Sequence, residues 1–406
     1  VYRNIFGEKV SKWRYKQMLN AFKNRQELIA AGLTSRRDLL KMGLLTASGM
    51  LLAKGGLSAR AQTALSPTSK SPGSFNLCVP GNQAASPPTR AFIEPLPVMP
   101  VAQTVRVSSL SPAPTIAPNT AGGEVRAASH QAPLLNPSMF PFPPPRVYQV
   151  RQHAINAVQS PDLPTQTIWG FDDGTHATSP GPTYRANYGV PQLVRNINAL
   201  PPVNMNGGFG IPSVTTHLHN GHTPSESDGN PCDFYPSGNF CDQYYPNVLA
   251  GFNSDHFPAG DINESLSTLW YHDHRVDFTS QNTYKGLLGF YCLFNQFDTG
   301  DESTGFHLPS FPQFDIQLAF ADKVYDPSSG LLSFDLFNLD GILGDKFLVN
   351  GKIQPFFDVQ PRRYRFRLLD TGPSRFYEFF LTDPNNMGGN NQFFVIANDG
   401  NLLPAP

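Results

Sequence analysis

Charge is scarce in this chain of 406 residues: Asp, Glu, Lys and Arg make up 15%, and they nearly cancel to a formal net charge of −1. Such a balance leaves no electrostatic footprint for nucleic acid or an anionic membrane as partner. Cysteine is scarcer, four in all, too few for a disulfide-built scaffold. Long apolar runs are missing as well. The weakly hydrophobic GLLTASGMLLAKGGL is interrupted by Lys54 and a Gly pair and stays below the roughly 20 residues that span a bilayer as a helix. Strong amphipathic helices are absent too. What the chain has in quantity is 39 Pro, 34 Gly and 31 Phe, a mix that favours short strands and many turns. The expected class is all-β.

The cysteines divide by context. Cys232 and Cys241 sit close together in the polar, aromatic PCDFYPSGNFCDQYYPN, where a local disulfide or, less in keeping with known zinc spacings, a metal-binding thiol pair are the alternatives. Cys292, in GFYCLF, reads as a buried strand residue, and Cys78 has no visible partner.

Residues 1–33 are basic and read as helical; the sequence does not begin with Met. Residues 34–61 carry Ser35-Arg36-Arg37-Asp38-Leu39-Leu40-Lys41, a short apolar region, and the small-x-small Ala59-Arg60-Ala61. These are the parts of an export signal of the twin-arginine type, with cleavage expected after Ala61 and a periplasmic or secreted product; a membrane anchor is the competing reading. Residues 62–145 are rich in Pro, Ser and Ala and end in PFPPP, which reads as extended chain, with the more apolar 91–100 able to dock on the first domain.

From Arg146 the pattern becomes strand-like. VYQVRQHAINAV, TQTIWGF, SPGPTYRANYGVPQLVRNINAL, LSTLWYHDH and YKGLLGFYCLF are short strands between Gly and Pro turns, a first domain over 146–304. A second block, 305–406, holds FDIQLAFADKVYD, a hairpin signal at Val349-Asn350-Gly351-Lys352, and RRYRFRLLD. Both indicate a sandwich or barrel.

Two His-x-His motifs stand out: His217 and His219 in TTHLHNGHTPSESDG, and His272 and His274 in LWYHDH. Along a strand, residues i and i+2 face the same way about 6.5–7 Å apart, a spacing that suits ligands serving two neighbouring metals. Imidazole favours copper, zinc, iron or nickel. A zinc amidohydrolase also uses His-x-His, but its (β/α)₈ barrel needs helices this sequence lacks. His153, His176, His256 and His307 read as ordinary surface or satisfied histidines. His222 closes HLHNGH at the wrong spacing for the same strand face, so it reads as a loop or outer residue.

HLHNGHTPSESDG, LWYHDH, YKGLLGFY, SPGPTYRANYGVP and LVNGKIQPFFDVQPRRYRFRLL resemble segments of multicopper oxidases, nearest to the bacterial spore-coat laccase and bilirubin oxidase branch. The likeness runs from about Phe92 to the end, interrupted by the Pro-rich stretch. The resemblance implies cupredoxin-like Greek-key domains, one complete and one incomplete here. It also implies a type 1 copper that takes electrons from a phenol, aromatic amine or metal ion, and a trinuclear cluster that reduces dioxygen to water. By motif, His217 would bind the type 2 copper, His219, His272 and His274 the type 3 pair, and Asp228 would help deliver protons; as a plain loop residue, Asp228 would cap a turn.

The sequence also departs from that family. The Cys and His ligands of the type 1 copper and the second pair of His-x-His motifs do not occur in these 406 residues. The expectation is an N-terminal portion of an oxidase, inactive alone, to be completed by a further domain or a second chain. The alternatives are a copper-free exported scaffold of the same superfamily, acting by protein contact, and a simple copper-binding domain.

Overall fold

The computed structural model describes residues 2–3, 9–10, 85–130, 144–248, 268–335, 341–383, 386–391, 393–403 and 406. The twin-arginine segment, Cys78, His256 and most of the basic extension lie outside them. Where residues 1–33 are described, Tyr2–Arg3 pairs antiparallel with Lys9–Val10. This is strand where helix is expected from the basic composition.

The main body is all-β, as expected. Its strands are β1 (Arg146–Ala157), β2 (Gln166–Asp172), β3 (Gly181–Asn187), β4 (Gln192–Asn198), β5 (Thr216–His219), β6 (Phe240–Tyr245), β7 (Thr268–Asp273) and β8 (Leu288–Phe294). One sheet runs β6-β4-β1-β2 and ends on the short Ala177–Thr178; the other runs β3-β8-β7-β5. Pairing is mixed, with β1–β4 and β3–β8 parallel, and the two sheets face each other as a β-sandwich.

Alternation along the strands fills the space between them. Tyr148 and Val150 of β1, Trp169 and Phe171 of β2, Tyr184 of β3, Leu218 of β5, Tyr271 of β7 and Tyr291 of β8 belong to one buried cluster. Tyr271 is its anchor. Its ring meets Phe171 and Tyr184 edge-on at 4.8 and 4.9 Å between centroids, a favourable aromatic arrangement, and its hydroxyl donates to the Pro182 carbonyl at 2.8 Å. A Cβ on Gly289 would lie 2.3 Å from that ring and one on Gly181 2.4 Å from its hydroxyl, so glycine at both positions lets the tyrosine fit. The fixed Tyr271 in turn sets the face to which His272 points.

The second block is a curled sheet on β9 (Asp315–Tyr325), which pairs with β10 (Lys346–Val349) and, in parallel, with β12 (Arg365–Asp370); β10 turns at Asn350-Gly351 into β11 (Lys352–Ile353). Residues 91–100 lie against both bodies. Phe92 and Leu96 donate backbone hydrogen bonds to Gln354 and Phe356, Thr183 donates to the Pro100 carbonyl, and Met99 is buried with Leu288, Phe290 and Ala319. Much of 85–130 is extended chain without regular elements, held by isolated bridges such as Val105 to Val147 and Glu124 to Phe240.

Beneath this seam lies a buried ion network. Arg367 forks onto Asp315 at 2.8 and 2.7 Å and donates to Thr268 of β7 at 2.8 Å, while Arg365 reaches Asp298 at 2.7 Å. Removing one member of a buried pair leaves a desolvated charge unmatched. Arg367→Ala is therefore expected to lower stability by about 3–5 kcal/mol, read as a fall in the denaturant midpoint; an unchanged midpoint would mean that the network is neutral.

Candidate metal centre

The strands β5 and β7 pair antiparallel with His272 directly opposite His217 and Trp270 directly opposite His219. Because alternate residues share a face, this register gathers both His-x-His motifs on one side of the sheet. His274 follows just past the end of β7, where its amide donates to the Thr215 carbonyl at 2.8 Å. The ring of His217 lies 5.6, 5.6 and 5.1 Å from those of His219, His272 and His274; the His219–His272 and His272–His274 separations are 5.4 and 5.3 Å.

Two of the imidazoles are oriented by carbonyls. His217 Nδ1 contacts the Asp228 carbonyl at 2.5 Å and His272 Nδ1 the Asp273 carbonyl at 2.7 Å. A carbonyl only accepts, so each Nδ1 carries the proton and each Nε2 keeps its lone pair, the tautomer a metal requires. The Nε2 of His272 lies 3.1 Å from Nδ1 of His219. Burial holds His272 far below the ordinary histidine range, at about 3, with the neighbouring imidazoles adding to the effect. Burial also lowers His219 and His274. The Nδ1 of His274 is buried and meets no hydrogen-bond partner among the described residues.

The donor set therefore fits a metal bound by nitrogen: neutral imidazoles, fixed tautomers and one orphaned buried nitrogen. Among the described residues, no three His, Cys, Asp or Glu side chains are already gathered to hold one ion. The four rings form an extended group rather than a single cage.

Asp228 lies beside the cluster, on the loop that follows β5. Its carboxylate is 3.5 Å from His217 Nδ1 and accepts from the Thr223 hydroxyl at 2.8 Å. Loop and strand are pressed together at Gly229, where φ is +77° and a Cβ would lie 2.1 Å from the Thr216 carbonyl oxygen. Only glycine fits there. Gln243 ties the same parts from below, donating to the carbonyls of Thr216 and Ser227 at 2.6 and 3.1 Å.

Asp273, between the two histidines of the second motif, did not figure among the expected site residues. Alternation turns its side chain into the protein, where it accepts from the Thr215 amide at 2.9 Å, Asn282 at 2.9 Å and the Arg275 amide at 3.3 Å. Burial pushes its carboxyl up to about 7, against the pull of those donors. Asn282 belongs to α1 (Thr279–Lys285), so Asp273 fastens β7, the chain entering β5 and the helix at one point. The period-2 pattern was the available signal. His130 and Glu226, 3.6 Å apart and both buried, had no such signal, since they meet only through the packing of residues 85–130.

The other histidines have different surroundings. His153 and His176 face Asp172 and Asp173 at 3.6 and 3.1 Å, and His307 contacts the Glu302 carbonyl at 3.0 Å. His222 lies in the loop and lines a cavity of about 20 Å³ with Leu218, Thr223 and Tyr245. Cys232, Cys241 and Cys292 are buried and not joined in disulfides. The disulfide reading of Cys232 and Cys241 is thus not met: Cys241 of β6 turns into the aromatic core between the sheets.

No protein-family model matches the chain. Its sequence is similar to a bilirubin oxidase from Albifimbria verrucaria, 32% identical over 317 residues that cover 73% of this chain and 49% of that protein. It is also similar to a laccase from Bacillus subtilis, 30% identical over 60% of this chain and 47% of the relative. A solved laccase from Pediococcus acidilactici is 18% identical, covering 71% of this chain and 48% of that one, with a TM-score of 0.48, a likeness too slight to carry an argument. The chain spans about half the length of the curated relatives it matches. On those sequence similarities, the chain resembles multicopper oxidases over about half of their length.

Proposed function

We propose that His217, His219, His272 and His274 supply half of a trinuclear copper site, His217 toward the type 2 ion and the other three toward the type 3 pair. The observation that carries this is the cross-strand register, which brings four imidazoles of two motifs onto one face. Copper bound there would supply the one-electron steps by which dioxygen is reduced by four electrons to water, at the expense of a phenol, aromatic amine or metal ion. The chain's own part is to hold lone pairs toward the ions and to keep protons off them. The Asp228 and Asp273 carbonyls hold the protons on Nδ1 of His217 and His272, and the burial of His272 with partial desolvation of His219 and His274 favours the neutral rings. Asp228, beside His217 and steadied by Thr223, is placed to hold and pass protons toward the cluster.

The rival reading, a copper-free scaffold acting by protein contact, gives no use for the buried, unpartnered nitrogen of His274. Leaving such a group unsatisfied costs about 1–3 kcal/mol. A simple copper-binding domain remains distinguishable by turnover. Ligands for a type 1 copper and the second pair of motifs are not among the 406 residues, so a further domain or second chain would be the completing partner.

These 406 residues, tested alone, are expected to bind copper and to consume no oxygen with a phenolic substrate. Loss of copper on His217→Ala with His272→Ala would assign it to the cluster; a wild-type chain that takes up no copper under any condition contradicts the oxidase reading, and oxygen uptake contradicts the half-site. Lowered histidine pKa values weaken competition by protons, because the ligands stay neutral as pH falls. Copper affinity is accordingly expected to persist below about pH 6.5, the ordinary histidine value, in titrations run from about pH 7.5 to 5; a steep loss starting near pH 7 would show ordinary, solvated imidazoles.

Export to the periplasm or medium is proposed from Arg36 and Arg37, and among the described residues no helix is long and apolar enough to cross a membrane. Replacing both arginines with lysine should retain the protein in the cytoplasm, scored by fractionation; unimpaired export would exclude the twin-arginine route.

A further inference from the structure

On the histidine-bearing face of β5 and β7, four adjoining positions form a block: His217 opposite His272, and His219 opposite Trp270. Three carry imidazoles and the fourth an indole. The Trp270 ring stacks on His272 at 4.0 Å between centroids with planes 24° apart, and on His219 at 5.0 Å and 26°. One aromatic plate therefore covers two rings whose nitrogens are 3.1 Å apart.

The two histidines differ in what else orients them. His272 is fixed by the Asp273 carbonyl. His219 is exposed, and its ring nitrogen contact is to His272 itself. A histidine χ2 is a broad, roughly two-fold torsion, so with little else to hold it the ring would sample many directions. If His219 Nδ1 and His272 Nε2 both turned their lone pairs to ions, the hydrogen bond between them would be lost, since neither nitrogen could then keep a proton. The stack survives that exchange. It needs no ring proton and no lone pair, only the faces of the rings.

We propose that Trp270 is a positioning residue for copper, holding His219 and His272 in the ligating orientation by stacking on both. The proposal rests on the copper reading above. Trp270 also packs against the buried cluster that contains Leu288, Phe290 and Ala319, which holds the indole in place. Its position is thus set by the seam between the two blocks, and the two imidazoles take their orientation from it.

The test is Cu(II) affinity of the 406-residue chain, measured by competition with a chelator, for wild type, Trp270→Phe and Trp270→Leu, alongside the thermal midpoint of each without metal. Outer-shell partners of metal ligands typically contribute about 10–100-fold in affinity. W270L is expected to bind Cu(II) about 10–100-fold more weakly with an apo midpoint close to that of W270F, whereas W270F, which can still stack, should stay within about threefold of wild type by the same reasoning. Equal affinity in W270L and wild type overturns the proposal, and so does a folded W270F as weak as W270L. Should W270L fail to fold, the decision passes to indole emission, taken as wild type minus W270F. Cu(II) is expected to quench that difference, because the indole lies against both candidate ligands, and no quenching overturns the proposal. A wild-type chain that binds no Cu(II) at all would instead sink the copper reading itself.

Discussion

The register between Thr216–His219 and Thr268–Asp273 is the constraint on which the rest depends. With His272 opposite His217, four imidazoles share one face; a slip of either strand by one residue would turn its own motif into the core and leave the other without its partner. The packing behind the sheet holds the register in place. Tyr271 and Leu218, the residues between the histidines, point inward and are directly opposite each other, and Tyr271 is locked by aromatic contacts and by the space that Gly181 and Gly289 leave. Asp273 completes the lock by accepting from the chain entering β5 and from the helix after β7. The histidine-bearing face is thus ordered by the packing on its reverse side.

Much of this was legible in the sequence because it comes from period-2 alternation. The strands, the shared face of each His-x-His and the all-β class come from local pattern, and short strands between Gly and Pro turns pointed to a sandwich. The meeting of the two motifs is a different matter, since they are joined by tertiary pairing and no local pattern fixes it. Family resemblance supplied it as an expectation. Asp273 could have been read from alternation, whereas Gly229 and Gln243 acquire meaning only once the Asp228 loop lies on β5. The Cys232–Cys241 reading fell because proximity in sequence says nothing about facing: Cys241 alternates inward on β6 and is held in the core.

Electrostatics and burial act together at the site. An exposed histidine is readily protonated near neutrality, and four protonated rings about 5–6 Å apart would repel one another. Burial under Trp270 and against the strands favours the neutral form, which is also the metal-binding form. The same burial would be an uncompensated cost in a protein with no ion to bind, most plainly at His274 Nδ1. Residues 91–100 contribute at a distance: they bridge the two blocks and bury Met99 in the cluster with Phe290 against which Trp270 packs.

The central claim is that the four imidazoles are metal ligands and not merely buried polar residues, and anomalous diffraction at the copper absorption edge, on crystals soaked in Cu(II), tests it most directly. The account predicts anomalous peaks among His217, His219, His272 and His274, with nitrogens of those residues at bonding distance. Copper found only at surface histidines such as His153 or His307, with the cluster empty, would contradict it.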